Sequence, residues 1–223
     1  MFIVLEGLDG AGKSTQLQLL CKFFTDAGKR TKILHFPRFD APVFGELIAK
    51  FLRGDLGELH TVNPYVTALL YAGDRRDAAV QLREWLSAGY VALIDRYVYS
   101  NIGYQCAKLH NPEEKQALRE WILQMEYGHF GIPKPDLTLF LDVPLGHVEQ
   151  KLEAQRDGND RAYLQGKKDI HEASLSLQEQ VRRVYLEQPA LDHTFRVIDC
   201  GSQGNMLPPE IIFEKIKSQI HII

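Results

Sequence analysis

Residues 2–14 of the chain read FIVLEGLDGAGKS, and the part from Gly7 to Ser14 matches the phosphate-binding loop pattern G-x-x-x-x-G-K-S/T. The pattern stands in the context it requires, because the apolar run Phe2–Glu6 precedes it and apolar residues at helical spacing follow it between Leu17 and Phe24. Glycines in such a loop let backbone N–H groups converge on phosphate oxygens, and the helix N-terminus adds a favourable dipole. The segment therefore predicts a strand–loop–helix unit that binds a nucleoside triphosphate.

The residue types within the loop predict how the triphosphate is held. We expect Lys13 to reach the β- and γ-phosphates of ATP and Ser14 to hold the Mg²⁺ that accompanies them. The predicted ATP contacts are Gly7, Leu8, Asp9, Gly10, Ala11, Gly12, Lys13, Ser14 and Thr15.

Four further short apolar runs resemble strands: Lys32–Phe36, Val91–Asp95, Leu137–Asp142 and Phe195–Asp199. Most are continuously apolar, as expected for parallel strands that are buried on both faces. Helical patterns separate them, with start signals at Asn63-Pro64, Asn111-Pro112, Pro144 and Pro209. We therefore predict an α/β fold of three layers, with five parallel strands, in one domain over residues 1–223. Ligands of such sheets bind beyond the carboxyl ends of the strands.

Composition narrows the class of protein. The 223 residues are 45% hydrophobic and 25% charged, with a net charge of −3, whereas a general nucleic-acid binder is usually basic. Three widely spaced cysteines form neither a metal motif nor a disulfide framework, which is typical of a reducing compartment. No signal peptide or membrane span is evident. We expect a cytoplasmic protein that binds neither nucleic acid nor membrane.

A phosphate-binding loop does not by itself name a reaction. The N-K-x-D guanine reader of regulatory GTPases and the L-S-G-G-Q signature of ABC-type ATPases are absent, which favours a small-molecule kinase. Val91–Asp95 is a buried strand that ends in an acid, so Asp95 is predicted to act on Mg²⁺ directly or through water. Arg96 follows it, and a strand-end ion pair between neighbouring side chains is the alternative to a role in the site.

Five segments stand in order along nearly the whole chain: VLEGLDGAGKSTQ (Val4–Gln16), HFPRFD (His35–Asp40), LLYAGDRRDA (Leu69–Ala78), DRYVYSNIGYQ (Asp95–Gln105) and PKPDLTLFLDV (Pro133–Val143). Together they resemble the motifs of the thymidylate kinase family. The resemblance implies a P-loop kinase fold with a mobile lid. It also implies ATP-dependent phosphorylation of dTMP to dTDP in dTTP biosynthesis, and a homodimer.

The resemblance also implies a role for individual residues. Arg38 and Arg96 would bind the acceptor phosphate, Tyr104 would favour deoxyribose, and Asp9 would contact the sugar 3′-hydroxyl or the metal shell. Tyr71 stands where the family has an aromatic residue that stacks on thymine, and core packing on an apolar helix is the alternative. The implied dTMP-binding residues are Phe36, Pro37, Arg38, Tyr71, Arg75, Arg96, Ser100, Asn101 and Tyr104.

The last expectation concerns an arginine for the transferring phosphoryl group. Some relatives carry it inside the loop after the aspartate, where this chain has Gly10, so we assign the role to a flap at residues 155–169. Arg156 is the first candidate and Arg161 the second, and they complete the predicted catalytic set of Asp9, Lys13 and Arg96. The family's flap tyrosine corresponds either to Tyr163 or to a position in residues 169–172. Two rival functions remain open: another nucleoside monophosphate or deoxynucleoside kinase, and a P-loop binding module without catalysis.

Overall fold

A parallel five-stranded sheet in the order β2-β3-β1-β4-β5 forms the centre of the structure, a computed structural model that describes residues 1–58, 61–153, 163–165 and 175–220. Its strands are β1 (Phe2–Gly7), β2 (Thr31–His35), β3 (Val91–Asp95), β4 (Leu137–Asp142) and β5 (Phe195–Asp199). Each matches a predicted run to within one residue at either end, so the prediction of five parallel strands is confirmed.

The strand register brings the carboxyl ends of the strands to one edge. Asp95 of β3 lies opposite Leu5 of β1 and His35 of β2, and Asp142 of β4 lies opposite Asp199 of β5. The three central strands are almost wholly buried, as continuous apolar runs predict. Strand β2 departs from that expectation because it is an edge strand, and its Ile33 is 45% exposed.

Helices cover both faces of the sheet and complete three layers. Helices α1 (Lys13–Asp26) and α8 (Pro209–Ile220) pack on one face, whereas α3 (Pro64–Ser87) and α4 (Val98–Cys106) pack on the other. The remaining described elements are α2 (Phe44–Leu52), α5 (Pro112–Leu123), a π-helix (Gln124–His129), α6 (Leu145–Glu153), α7 (Leu175–Glu187), a 3₁₀ turn (Gln188–Ala190) and a small hairpin of β6 (Gly201–Ser202) and β7 (Asn205–Met206). Within the described ranges, no helix is both long and apolar enough to cross a membrane.

The predicted helix starts are confirmed by the caps. The Asn63 side chain accepts a hydrogen bond from the Tyr65 N–H at 2.9 Å, and the Asn111 side chain accepts one from the Glu113 N–H at 2.8 Å. In both cases proline occupies the first helical position, where a missing N–H costs nothing. These caps fix the residues at which α3 and α5 begin.

Candidate active site

The phosphate-binding loop joins β1 to α1 at the carboxyl edge of the sheet. Gly10 and Gly12 both adopt φ 79°, a left-handed conformation that residues with a Cβ rarely adopt. Lys13 is buried, and its Nζ donates to the carbonyl oxygens of Gly7 at 3.3 Å and Leu8 at 3.1 Å. Burial and the neighbouring Arg96 lower the pKa of Lys13 to about 8. The loop therefore holds the Lys13 amine against the carbonyl groups of Gly7 and Leu8. This amine lies at the carboxyl edge of the sheet, where phosphate is expected to bind.

Asp95 ends β3 beside this loop. Its Oδ2 lies 3.1 Å from Nδ1 of His35, while its buried Oδ1 has no hydrogen-bond partner among the described residues. Burial raises the pKa of Asp95, but Lys13, His35 and Arg96 outweigh that effect and hold the pKa below its ordinary value. Asp95 is thus a charged carboxylate with one oxygen still to be satisfied.

Arg96 turns from the end of β3 into the site. Its Nη2 donates to Oδ1 of Asp9 at 2.8 Å, and its Nη1 donates to Oγ of Ser100 at 3.2 Å. The hydroxyl of Tyr104 donates to the other oxygen of Asp9 at 2.9 Å, and the Arg96 guanidinium lies 5.4 Å from the Tyr104 ring centroid. Four predicted residues from two motifs, the phosphate-binding loop and the segment Asp95–Gln105, therefore form one cluster. The ion pair that Arg96 makes in this cluster is with Asp9.

Glu6, which the sequence did not predict as a site residue, stabilises this cluster through hydrogen bonds. Glu6 is fully buried and accepts hydrogen bonds from the N–H groups of Tyr97 (2.9 Å) and Ser100 (3.0 Å), from the Ser100 hydroxyl (2.6 Å) and from the Tyr185 hydroxyl (2.9 Å). Its oxygens thus satisfy N–H groups at the start of α4, where an unpaired donor is costly. A single acid inside an otherwise apolar strand was the available signal, because a buried carboxylate requires partners.

A second cluster of charged residues joins α3 to the π-helix. Arg75 donates from Nε and Nη2 to the two oxygens of Glu126, at 2.5 and 2.7 Å, and both side chains are almost completely buried. Asn101 donates from Nδ2 to Glu126 at 3.0 Å and to the Ala68 carbonyl at 3.0 Å, which leaves its buried Oδ1 without a partner among the described residues. The sequence carried no signal for Glu126.

Arg38 is held by α3. Its Nε donates to Oδ1 of Asp74 at 2.8 Å, its backbone N–H donates to Oδ2 at 2.9 Å, and its Nη2 donates to the Asp74 carbonyl at 2.9 Å. This pairing fixes the loop after β2 against α3. Arg38 does not itself line the cavity described next, although its neighbours Pro37 and Phe39 do.

A cavity of about 500 Å³ connects the two clusters. Phe39, Leu52 and Gln105 are among its walls and were not assigned to the site from the sequence. Tyr163, one of the candidates for the flap tyrosine, also lines it. Arg156 and Arg161, the predicted flap arginines, lie outside the described residues. Of the predicted site residues, those that line the cavity are Asp9, Ser14, Phe36, Pro37, Tyr71, Arg75, Asp95, Arg96, Ser100, Asn101 and Tyr104.

Comparisons with known proteins agree with this geometry. The family model described as thymidylate kinase matches residues 5–208. The thymidylate kinase of Mycobacterium tuberculosis is 37% identical over 221 residues, which cover 95% of this chain and 99% of that protein. The human thymidylate kinase is 34% identical over 149 residues, which cover 67% of this chain and 64% of that protein.

A solved structure extends the likeness to three dimensions. The thymidylate kinase of Candida albicans superposes with a TM-score of 0.74 at 29% identity, over 99% of this chain and 91% of that chain. This chain therefore has the three-layer P-loop kinase fold expected from the sequence, with a central five-stranded parallel sheet. On the family match and these relatives together, the chain belongs to the thymidylate kinase family.

Proposed function

We propose that this chain transfers the γ-phosphoryl group of ATP to dTMP, which produces ADP and dTDP on the route to dTTP. The observation that carries the proposal is the position of Arg96, whose guanidinium lines the cavity and also binds Asp9 of the phosphate-binding loop. An acceptor phosphate held by Arg96 therefore lies next to the loop that holds the donor. That arrangement favours a phosphorylated acceptor over a plain hydroxyl.

Arg75 and Asn101 give the cavity the polar groups that a thymine edge requires. The Asn101 Oδ1 is an acceptor without a partner among the described residues, which suits the N3–H donor of thymine. Glu126 holds Nε and Nη2 of Arg75, and the remaining guanidinium nitrogen supplies a donor for the O4 oxygen. Cytosine reverses both polarities, with an acceptor at N3 and an amine at C4, so it would leave these groups unpaired. Phe36 and Tyr71 line the cavity beside them and supply faces for stacking.

The middle of the cavity is suited to a deoxyribose. Tyr104 is buried, and its hydroxyl is held by Asp9 at 2.9 Å, so its ring has little freedom to make room for a 2′-hydroxyl. Asp9 also accepts a hydrogen bond from Nε2 of Gln178 at 3.1 Å. We propose that the same carboxylate also accepts a bond from the sugar 3′-hydroxyl or contacts the metal shell.

The chemistry requires charge neutralisation more than proton transfer. A phosphate monoester has a second pKa near ~6 and is largely dianionic at neutral pH, so the acceptor needs no general base. Lys13 and Arg96 neutralise the donor and the acceptor as the two anions approach, and the loop backbone orients the donor. Arg38 contributes by holding the Phe36–Pro37 loop to α3. Arg156, or otherwise Arg161, stays our prediction for the cation that approaches the transferring group.

The residues present fit a Mg²⁺ ion that arrives with ATP. Ser14 is exposed at the cavity, and Asp95 offers a charged carboxylate with an unpartnered oxygen, so both donors are the hard oxygen ligands that Mg²⁺ prefers. Within the described ranges there is no cluster of three or more protein ligands, which agrees with an ion held mainly by the nucleotide phosphates. Ser14 and Asp95 would hold the ion together with ATP, and the ion would supply positive charge that offsets the charge of the phosphates.

The exposed face of α3 supports a homodimer. Val66, Leu69 and Val80 are each about half exposed or more, at 54%, 47% and 62%, and their spacing puts them on one side of the helix. We propose that a second copy of the chain covers this face. Sedimentation equilibrium tests it: Leu69→Glu should shift the wild-type dimer towards monomer, and a wild-type monomer at micromolar concentration would exclude it.

A panel of acceptors tests the proposed reaction. ADP release is measured with ATP and each of dTMP, dUMP, dCMP, dGMP, AMP and thymidine, with Arg96→Ala as the matched inactive control. We expect dTMP to have the highest kcat/KM, dUMP to follow, and thymidine to give no turnover. The assignment falls if a purine or cytosine monophosphate exceeds dTMP, and turnover of thymidine would establish a deoxynucleoside kinase instead.

A further inference from the structure

Tyr163 contacts a part of the cavity wall that comes from residues near the start of the chain. The Tyr163 ring stacks on the Phe39 ring, with centroids 3.7 Å apart and planes within 10° of each other. Leu164 is buried, with 4% of its surface exposed. Tyr163 and Phe39 both line the cavity, as does Leu52 at the end of α2.

Arg53 joins the same contact from the residue that follows α2. Its Nη1 donates to the backbone carbonyl oxygen of Tyr163 at 2.6 Å, and its Nε donates to Oδ2 of Asp55 at 2.8 Å. The Arg53 side chain is only 9% exposed, so solvent competes little with this hydrogen bond. Asp55 orients the guanidinium, and the guanidinium in turn holds the backbone at Tyr163.

We infer that Phe39, Arg53 and Tyr163 form a clasp that sets the affinity for the acceptor nucleotide. Phe39 and Tyr163 supply a stacked pair of rings as one wall of the cavity, and this wall shields the acceptor from water. Arg53 does not line the cavity, so it is a positioning residue that acts through Tyr163. The identity of the acceptor rests on the proposed function, but the clasp does not, because it is defined by the cavity wall.

The clasp should act on acceptor binding more than on chemistry. None of its three residues belongs to the charged clusters at Lys13, Asp95 and Arg96, so removing it leaves the groups that neutralise the phosphates in place. An open wall weakens the hold on the acceptor and lets water reach the donor. We therefore expect a raised KM for the acceptor, a kcat within about threefold of wild type, and more ATP hydrolysis without acceptor.

The first experiment separates positioning from stability. Arg53→Ala should raise the KM for the acceptor about tenfold and leave the KM for ATP within about twofold, because an uncharged side chain cannot hold the Tyr163 carbonyl. Arg53→Lys keeps a donor and should recover part of the loss. Lys50→Ala is the matched control, since Lys50 lies in the last turn of α2, three residues before Arg53, and pairs with the exposed Glu46. An acceptor KM that is unchanged in Arg53→Ala overturns the inference.

The second experiment is a double-mutant cycle across the stacked rings. Phe39→Leu and Tyr163→Leu keep apolar bulk, so folding should survive, and thermal unfolding of each variant checks this. If the two rings act as one wall, the double variant loses about as much kcat/KM as either single variant. Effects that multiply would refute the clasp. All variants are assayed with the acceptor that wild type uses best, so a wrong assignment of dTMP would show in the panel and leave the cycle interpretable.

Discussion

Removal of Glu126 should destabilise the fold by an amount that the geometry allows us to estimate. Glu126 is 0% exposed and Arg75 is 2% exposed, and two hydrogen bonds of 2.5 and 2.7 Å join them. In Glu126→Ala the guanidinium of Arg75 stays buried without its counter-charge, and breaking a buried pair in this way costs about 3–5 kcal/mol. With a urea m-value of roughly 1–3 kcal/mol/M, the unfolding midpoint should fall by about 1–5 M.

The double variant Arg75→Met/Glu126→Leu distinguishes an unpaired charge from a general loss of packing. Both charges are then absent, so we expect it to recover most of the stability that Glu126→Ala loses. Urea unfolding followed by circular dichroism measures all variants, and Glu120→Ala, which removes an exposed acid of α5, should stay within about 0.5 kcal/mol of wild type. If the double variant is no more stable than Glu126→Ala, the reasoning from an uncompensated charge is wrong.

Three further predictions concern Arg96, Tyr104 and Lys108. Arg96→Ala should lower kcat/KM by several orders of magnitude with little change in the unfolding midpoint, because it removes charge-assisted bonds near Asp9, and near-normal steady-state turnover would contradict this. Tyr104→Ala should raise the ratio of kcat/KM for ribo-TMP to that for dTMP, and an unchanged ratio would place sugar selection elsewhere. The Lys108 side chain lies partly buried over the Phe51 ring, and desolvation lowers its pKa from 10.5 to about 7. The unfolded chain therefore binds more protons than the native state between those values. Lys108→Met should therefore raise the free energy of unfolding more at pH 6 than at pH 9, by about 1–3 kcal/mol in urea titrations, whereas an equal gain at both pH values would show that Lys108 pays no burial penalty.

The strands and the phosphate-binding loop could be predicted because their signals are local. A parallel strand buried on both faces must be a short apolar run, and the loop needs glycine wherever the backbone turns left-handed, as at Gly10 and Gly12. Helix α4 gave no such signal, since VYSNIGYQC is rich in β-branched and aromatic residues of low helix propensity. Its start depends on Glu6, which is 94 residues away from Ser100 in sequence.

The residues that line the cavity were predicted in part, again because their sequence signals are local. A residue at a motif position indicates which side chain contacts the ligand. Most of the cavity-lining residues could therefore be named from the five segments. The groups that hold them could not, because Glu126 reaches Arg75 from a π-helix 51 residues further along the chain. Asp74 stands next to Arg75 yet pairs with Arg38, which only the packing of α3 against the loop after β2 determines.

The backbone at Arg96 has φ 64°, a left-handed conformation that costs a residue with a Cβ roughly 1–2 kcal/mol. The Arg96 N–H donates to the Leu5 carbonyl at 2.9 Å, so the sheet itself holds this turn. Glycine would relieve the strain, and Arg96→Gly should therefore fold at least as stably as Arg96→Ala. Directed evolution for heat resistance alone would accept glycine at this codon, whereas evolution for turnover would retain arginine. Position 96 is thus a place where two laboratory selections on the same gene should diverge.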